Sequence, residues 1–175
     1  FTLKARIISI FITVVLTTGI IGFIGMKGVE DTNQAVHTLY EDRVVAIEQL
    51  KRVADMYAVN IVDTSHKVRN GNLTWAEGEA NVEQALKEID TQWKAYQAKT
   101  HAAEEQKLVS DIEPLFTKAN TNIASLQTIL RSHDDKRLAE FTVNELYPAI
   151  DPISDRINAL TNLQTKISGQ VFAEA

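Results

Sequence analysis

Ile7-Ile8-Ser9-Ile10-Phe11-Ile12-Thr13-Val14-Val15-Leu16-Thr17-Thr18-Gly19-Ile20-Ile21-Gly22-Phe23-Ile24-Gly25-Met26 is a run of twenty residues without a charged side chain. At about 1.5 Å per residue, a helix of that length spans about 30 Å, the hydrocarbon thickness of a bilayer. The remainder of the chain is long, amphipathic and almost free of strand or loop signals. The pattern predicts an all-α chain in three parts: a short tail over 1–6, a transmembrane helix over 7–26 and a soluble helical domain over 27–175.

Lys4 and Arg6 precede the apolar run. Positive charge on that side puts the N-terminus in the cytoplasm and the domain across the membrane. A cleaved signal peptide is the alternative, with Lys4 and Arg6 as its basic start. Against it, the run exceeds the usual apolar core of a signal peptide, and Lys27-Gly28-Val29-Glu30-Asp31 stands in place of a small-residue cleavage site. Gly19, Gly22 and Gly25 recur every third residue, either to admit a neighbouring helix or as ordinary membrane-helix composition. A chain opening on Phe1 rather than Met is expected to be a piece of something longer.

With Lys4 and Arg6 set aside, 16 basic and 23 acidic residues remain, a net charge of −7. That balance argues against a nucleic-acid partner, though not against a local basic pocket. Cys is absent, so thiolate metal sites, disulfides and Cys nucleophiles are excluded. Seven glycines and three prolines are too few for a β-sandwich.

Four amphipathic stretches succeed the anchor. In the first, Val36, Tyr40, Arg43, Ile47, Leu50, Ala54, Tyr57, Ile61, Thr64 and Val68 alternate four and three apart, on one helix face. Asn70-Gly71 ends it as a natural C-cap. Nothing between Met26 and Asn70 must break it, so the membrane helix is expected to continue into the domain. The second begins with the capping box Thr74-Trp75-Ala76-Glu77 and carries Trp75, Val82, Leu86, Ile89, Trp93 and Tyr96. The third starts near Thr100, with Leu108, Ile112, Leu115, Ala119, Asn122, Leu126 and Ile129 as its face. Pro114 should kink it or mark a late start. The fourth opens between Ser132 and Asp134, where Ser132 and Asp135 have capping-box spacing. Its seam is Leu146, Ile150, Ile153, Ile157, Leu160, Gln164, Ile167 and Val171. The links near Gly71, His101 and His133 are short, which forces antiparallel neighbours and an up-down-up-down four-helix bundle. An even number of helices returns the chain to the bilayer, so a second membrane helix is expected beyond Ala175.

Several stretches carry a resemblance. Leu39-Tyr40-Glu41-Asp42-Arg43-Val44-Val45-Ala46-Ile47, Asp63-Thr64-Ser65-His66-Lys67-Val68-Arg69-Asn70-Gly71, Trp93-Lys94-Ala95-Tyr96 and Leu146-Tyr147-Pro148-Ala149-Ile150-Asp151-Pro152 occur in an order that resembles the periplasmic four-helix sensor domain of methyl-accepting chemotaxis proteins. The resemblance covers the whole chain, and the order of the motifs together is what makes it specific. The resemblance implies a homodimeric receptor in the bacterial inner membrane. It would bind small molecules in the periplasm and signal to cytoplasmic partners through a part absent from this chain.

Arg43 interrupts the apolar seam, so it must pair with an acid, reach the bundle edge or touch a ligand. Tyr57, Asn60, Thr64 and Lys67 make the distal half of the first helix polar on one side. That stripe either lines a ligand site or is solvated, with Asp63 and Lys67 as an ordinary i,i+4 pair. Arg131, His133 and Arg137 gather at the distal end, near Lys67 and Arg69. They suggest an anion site for a carboxylate, or else cations that offset helix dipoles. Arg137 lies in a first turn, where the dipole disfavours it, and is the stronger candidate. Pro148 and Pro152 strip donors from the carbonyls of Asn144 and Pro148, opening a pocket beside Tyr147 or simply kinking the helix. Trp75, Trp93 and Tyr96 read as core, and Gln164 as a register device.

The expected ligand site is therefore Tyr57, Asn60, Thr64, Lys67, Arg131, Arg137 and Tyr147, holding a small organic anion between the first, third and fourth helices. No cofactor, metal or catalytic constellation is expected. The chain is read as a non-enzymatic chemoreceptor sensor domain. The rivals are the input domain of a membrane histidine kinase or diguanylate cyclase, or a membrane-anchored helical adaptor without a ligand. A second stripe on the first helix, Leu39, Ala46, Val53 and Asn60, is expected to face the partner of a homodimer.

Overall fold

A computed structural model describes residues 3–99 and 103–174. The described chain is four helices: α1 over 3–69, α2 over Trp75–Gln97, α3 over Ala103–Ser132 and α4 over 135–174, and no strand occurs among the described residues. The all-α expectation is met. The start of the third helix near Thr100 and the link at His101 lie outside the described residues.

α1 continues without a break from the apolar run to the distal turn. Its Leu3–Gln34 portion is long and apolar enough to cross a membrane, by length and composition. Ile8, Phe11, Leu16 and Phe23 point outward rather than into the bundle. Hydroxyls in this segment return to the backbone: Thr13 Oγ1 donates to the Ser9 carbonyl at 2.9 Å and Thr18 Oγ1 to that of Val14 at 2.8 Å. A polar side chain in hydrocarbon needs such an internal partner.

Helix ends obey the local chemistry. Gly71 adopts φ 74°, its N–H bonds the Val68 carbonyl at 3.0 Å, and the Asn72 N–H reaches that of Lys67 at 2.8 Å. These are the two bonds of a Schellman ending. Thr74 and Glu77 form the expected capping box. The cap of α4 differs from expectation. Asp134, not Ser132, accepts from the Arg137 N–H at 2.9 Å, because the Ser132 hydroxyl turns back to the Ile129 carbonyl. Pro114 lies inside α3, which runs unbroken from Ala103, so it marks no late start.

Each helix packs on two neighbours: α1 on α2 and α4, and α3 on the same two. Cross-links fix the directions. Arg52 meets Glu88 at 3.5 Å and Arg43 meets Gln164 at 2.8 Å, while Ser65 meets Thr142 at 3.2 Å. Successive helices are thus antiparallel, with the apolar segment of α1 at one end.

The core runs along the axis through Leu50, Tyr57, Ile61, Val82, Tyr96, Ile112, Ile123, Leu126, Leu146, Ile153 and Leu160, all fully buried. Each such aliphatic residue contributes about 1.5–3 kcal/mol of burial. Two expected faces are met in part: Leu50, Tyr57, Ile61, Thr64 and Val68 of α1 and Ile112, Ala119, Leu126 and Ile129 of α3 are buried as expected. In α3 the buried series is Glu105, Val109, Ile112, Phe116, Ala119, Ile123, Leu126, Ile129 and Leu130. Leu108, Leu115 and Asn122 are only half-buried beside it. In α1, Ala46 and Val53 are 2% and 0% exposed. They pack inside the bundle and cannot face a partner, which removes the expected dimer stripe; the Leu39 side chain lies outside what the structure describes. Val36 and Tyr40, expected in the seam, are exposed instead.

Candidate functional site

Three π-helical stretches interrupt the α-helical regularity: Tyr40–Val44 and Met56–Asp63 in α1, and Thr142–Leu146 in α4. Turns closed by i→i+5 bonds are rare and gather at functional positions. The stretch in α4 has a visible cause. Pro148 cannot donate to the Asn144 carbonyl, and just before it the Tyr147 N–H bonds Thr142 instead. The second α1 stretch carries Tyr57 and Asn60.

Beside these stretches the distal interior is polar but satisfied. Ser65 and Thr142 are 0% and 1% exposed and lie 3.2 Å apart, Thr142 donating. Ser65 Oγ donates to the Val62 carbonyl at 2.6 Å, and Thr142 Oγ1 also reaches that of Leu138 at 2.8 Å. Thr64 is buried next to them and abuts Gly78 of α2, where α1 and α2 approach closely.

The seven expected ligand residues do not converge. Lys67 pairs with Asp63 at 2.8 Å on the outer face of α1. Arg131 pairs with Glu79, tying α3 to α2. Arg137 pairs with Glu145 at 2.7 Å along α4 and lies over the Phe141 ring, 5.2 Å from its centre. Each of the three cations therefore has an internal carboxylate, and an incoming anion would have to displace it. Asn60 lines a groove of about 270 Å³ between α1 and α2, with Gln84 and Glu88. Tyr147 is a third exposed, its hydroxyl 3.0 Å from His66 Nε2.

Tyr57 faces elsewhere. It is fully buried and reaches across the bundle to a cleft of about 360 Å³ between α2 and α3. Its ring stacks on Phe116, centroids 5.7 Å apart, and Phe116 meets the Trp93 ring edge-on at 4.8 Å. Burial pushes the Tyr57 phenol up, so it stays protonated.

The opposite end holds a buried polar node of Arg43, Gln164, Tyr96 and Glu105, of which the sequence reading missed only Glu105. Arg43 donates to Gln164 Oε1 at 2.8 Å and lies 3.7 Å from Glu105. Gln164 Nε2 and the Tyr96 hydroxyl both donate to Glu105 Oε1. Burial, aided by the Glu105 hydrogen bond, pushes the Tyr96 phenol up. Arg43 thus pairs with an internal acid, one of the options its position allowed. The signal for Glu105 was its four-residue spacing to Val109, in phase with the observed face. Among the described residues, no group of three His, Asp or Glu side chains is placed to hold a metal ion.

Comparison with known proteins adds the family. The family described as "Tar ligand binding domain homologue" matches residues 1–168. The methyl-accepting chemotaxis protein NahY of Pseudomonas putida is 36% identical over 175 residues, which is all of this chain and 32% of that protein. The chain spans about a third of the length of this curated relative. No solved structure matches the chain.

Proposed function

Because the chain belongs to the Tar ligand-binding domain homologues, we propose that it is the small-molecule sensor of a transmembrane chemoreceptor. It binds and does not catalyse. The membrane segment anchors it in the inner membrane, with the bundle in the periplasm and the output in a part of the receptor outside this chain. The observation that carries this reading is the continuity of α1. One helix leads from the apolar span, through two π-helical stretches, to the distal end of the bundle. A ligand that favours one packing of α1 against its neighbours would shift that helix at the membrane.

The receptor acts as a homodimer in this reading, through an exposed stripe of α1 rather than the buried one. Val36, Tyr40, Val44 and Val59 are 47–57% exposed on that helix. A carboxylate ligand is the reading that Arg131, Arg137 and Lys67 support by charge. It requires exchange of Glu79, Glu145 and Asp63 for the ligand.

Thermal-shift screening of the chain against small metabolites tests the sensor role. A ligand at a hundredfold excess over its Kd raises stability by about 2.7 kcal/mol. Phosphatase and fluorescent-protein fusions at the C-terminus report the side of the membrane. A cytoplasmic fusion point, or no stabilising compound in a broad screen, sinks the sensor reading.

A further inference from the structure

We propose that the cleft between α2 and α3 binds a neutral aromatic molecule carrying one hydrogen-bonding oxygen. At about 360 Å³ the cleft falls within the range of small-molecule sites. Trp93 and Phe116 form its walls and Tyr57 its floor, with Ala124 at its side. The Trp93 and Phe116 planes meet at 87°, and those of Tyr57 and Phe116 at 23°. An entering ring is thus offered both faces and edges, the two arrangements aromatic pairs prefer.

The second observation is the Tyr57 hydroxyl. The residue is 0% exposed, and its oxygen has no hydrogen-bond partner among the described residues. A buried hydroxyl left unpaired is costly, and buried polar groups are nearly always paired. A ligand oxygen in the cleft would supply the missing partner. The π-helical stretch Met56–Asp63 carries Tyr57 in its first turn.

Charge selects against an anion here. Asp90 stands at the rim, held by Lys94 at 2.8 Å, and the other polar lining groups are the neutral Asn120 and Gln127. The cleft is therefore chemically distinct from the distal cations, and binding in it does not depend on any signalling output.

Phenol is the probe, added to the whole chain in detergent micelles. The indole N–H resonance of Trp93 reports the cleft. That of Trp75, stacked on His133 at the distal end, serves as the internal control. We expect a saturable shift at Trp93 with Trp75 unmoved. Tyr57→Phe should weaken phenol three- to tenfold, roughly the worth of one neutral hydrogen bond, while leaving the fold intact because only an unpaired hydroxyl is lost. Ala124→Phe should fill the cleft and abolish the shift. Benzoate should bind at least about tenfold more weakly than phenol, as expected for a charge moved beside a carboxylate. Absence of a saturable Trp93 shift, unchanged affinity in Tyr57→Phe, or benzoate binding as tightly as phenol would each overturn the proposal.

Discussion

Arg43 of α1 donates to the side-chain oxygen of Gln164 of α4 at 2.8 Å, across 121 positions of sequence. Gln164 and Tyr96 of α2 converge in turn on Glu105 of α3, which is 1% exposed. One buried node therefore joins all four helices at the end nearest the membrane segment. Arg43→Met should cost about 1–3 kcal/mol, because Glu105 loses its cation. Glu105→Gln should cost less, since it keeps an acceptor for Tyr96. Urea unfolding of both variants measures this, and equal stability with the parent chain would show that the node is not structural.

The Thr74 capping box makes a pH prediction. Glu77 accepts from the Thr74 N–H at 2.8 Å and from its hydroxyl at 2.7 Å, and these bonds lower the Glu77 pKa, the backbone one most. A lowered folded-state value means the stabilisation is present above the ordinary glutamate pKa, about 4.3. It is lost as pH falls through the folded value. Thermal unfolding of Glu77→Gln should show a shallower loss of stability with acid than the parent chain. Identical acid limbs would refute it.

Gly78 lies where α1 and α2 approach closely. A Cβ at this position would collide with the Val68 side chain and touch Thr64 and Leu130. Gly78→Leu should therefore destabilise by about 1–3 kcal/mol through overpacking, despite better helix propensity. Denaturant titration decides it; a stabilised variant would mean that the distal packing yields easily.

Dimer contacts should track exposure on α1. Cys at Val36, Tyr40, Val44 and Val59 should cross-link between copies in membranes, while Cys at Ala46 or Val53 should not, because both are buried within one bundle. Cross-linking that is flat along the helix would remove the α1 interface.

At the distal end, Arg131→Gln and Arg137→Gln should each weaken a carboxylate ligand by about 1–3 kcal/mol if a charged hydrogen bond is lost. Calorimetry with a panel of small mono- and dicarboxylic acids measures it. Unchanged affinity in both variants would remove the distal anion site and leave these cations as structural partners of Glu79 and Glu145.

The sequence alone determined the elements of this protein. Twenty uncharged residues required a bilayer-length helix, Asn70-Gly71 required an ending, and Thr74 with Glu77 required a start. These are local effects, set by backbone hydrogen bonding and side-chain solvation within a few residues. Even the short described links, Asn70 to Thr74 and His133 to Asp134, dictated antiparallel neighbours. The buried faces of α2 and α4 were legible too, whereas tertiary structure decided how α3 is turned and which partners the polar groups find. The stripe Leu108, Leu115 and Asn122 and the stripe Val109, Phe116 and Ile123 have the same spacing, so periodicity could not choose between them. Packing chose the second, which brought Glu105 inside and Phe116 against Tyr57. Likewise a positive charge at Arg131 is legible in the chain, but the carboxylate of Glu79 that meets it lies 52 positions away. Such pairings depend on where neighbouring helices stand in three dimensions, and a one-dimensional pattern carries no record of them.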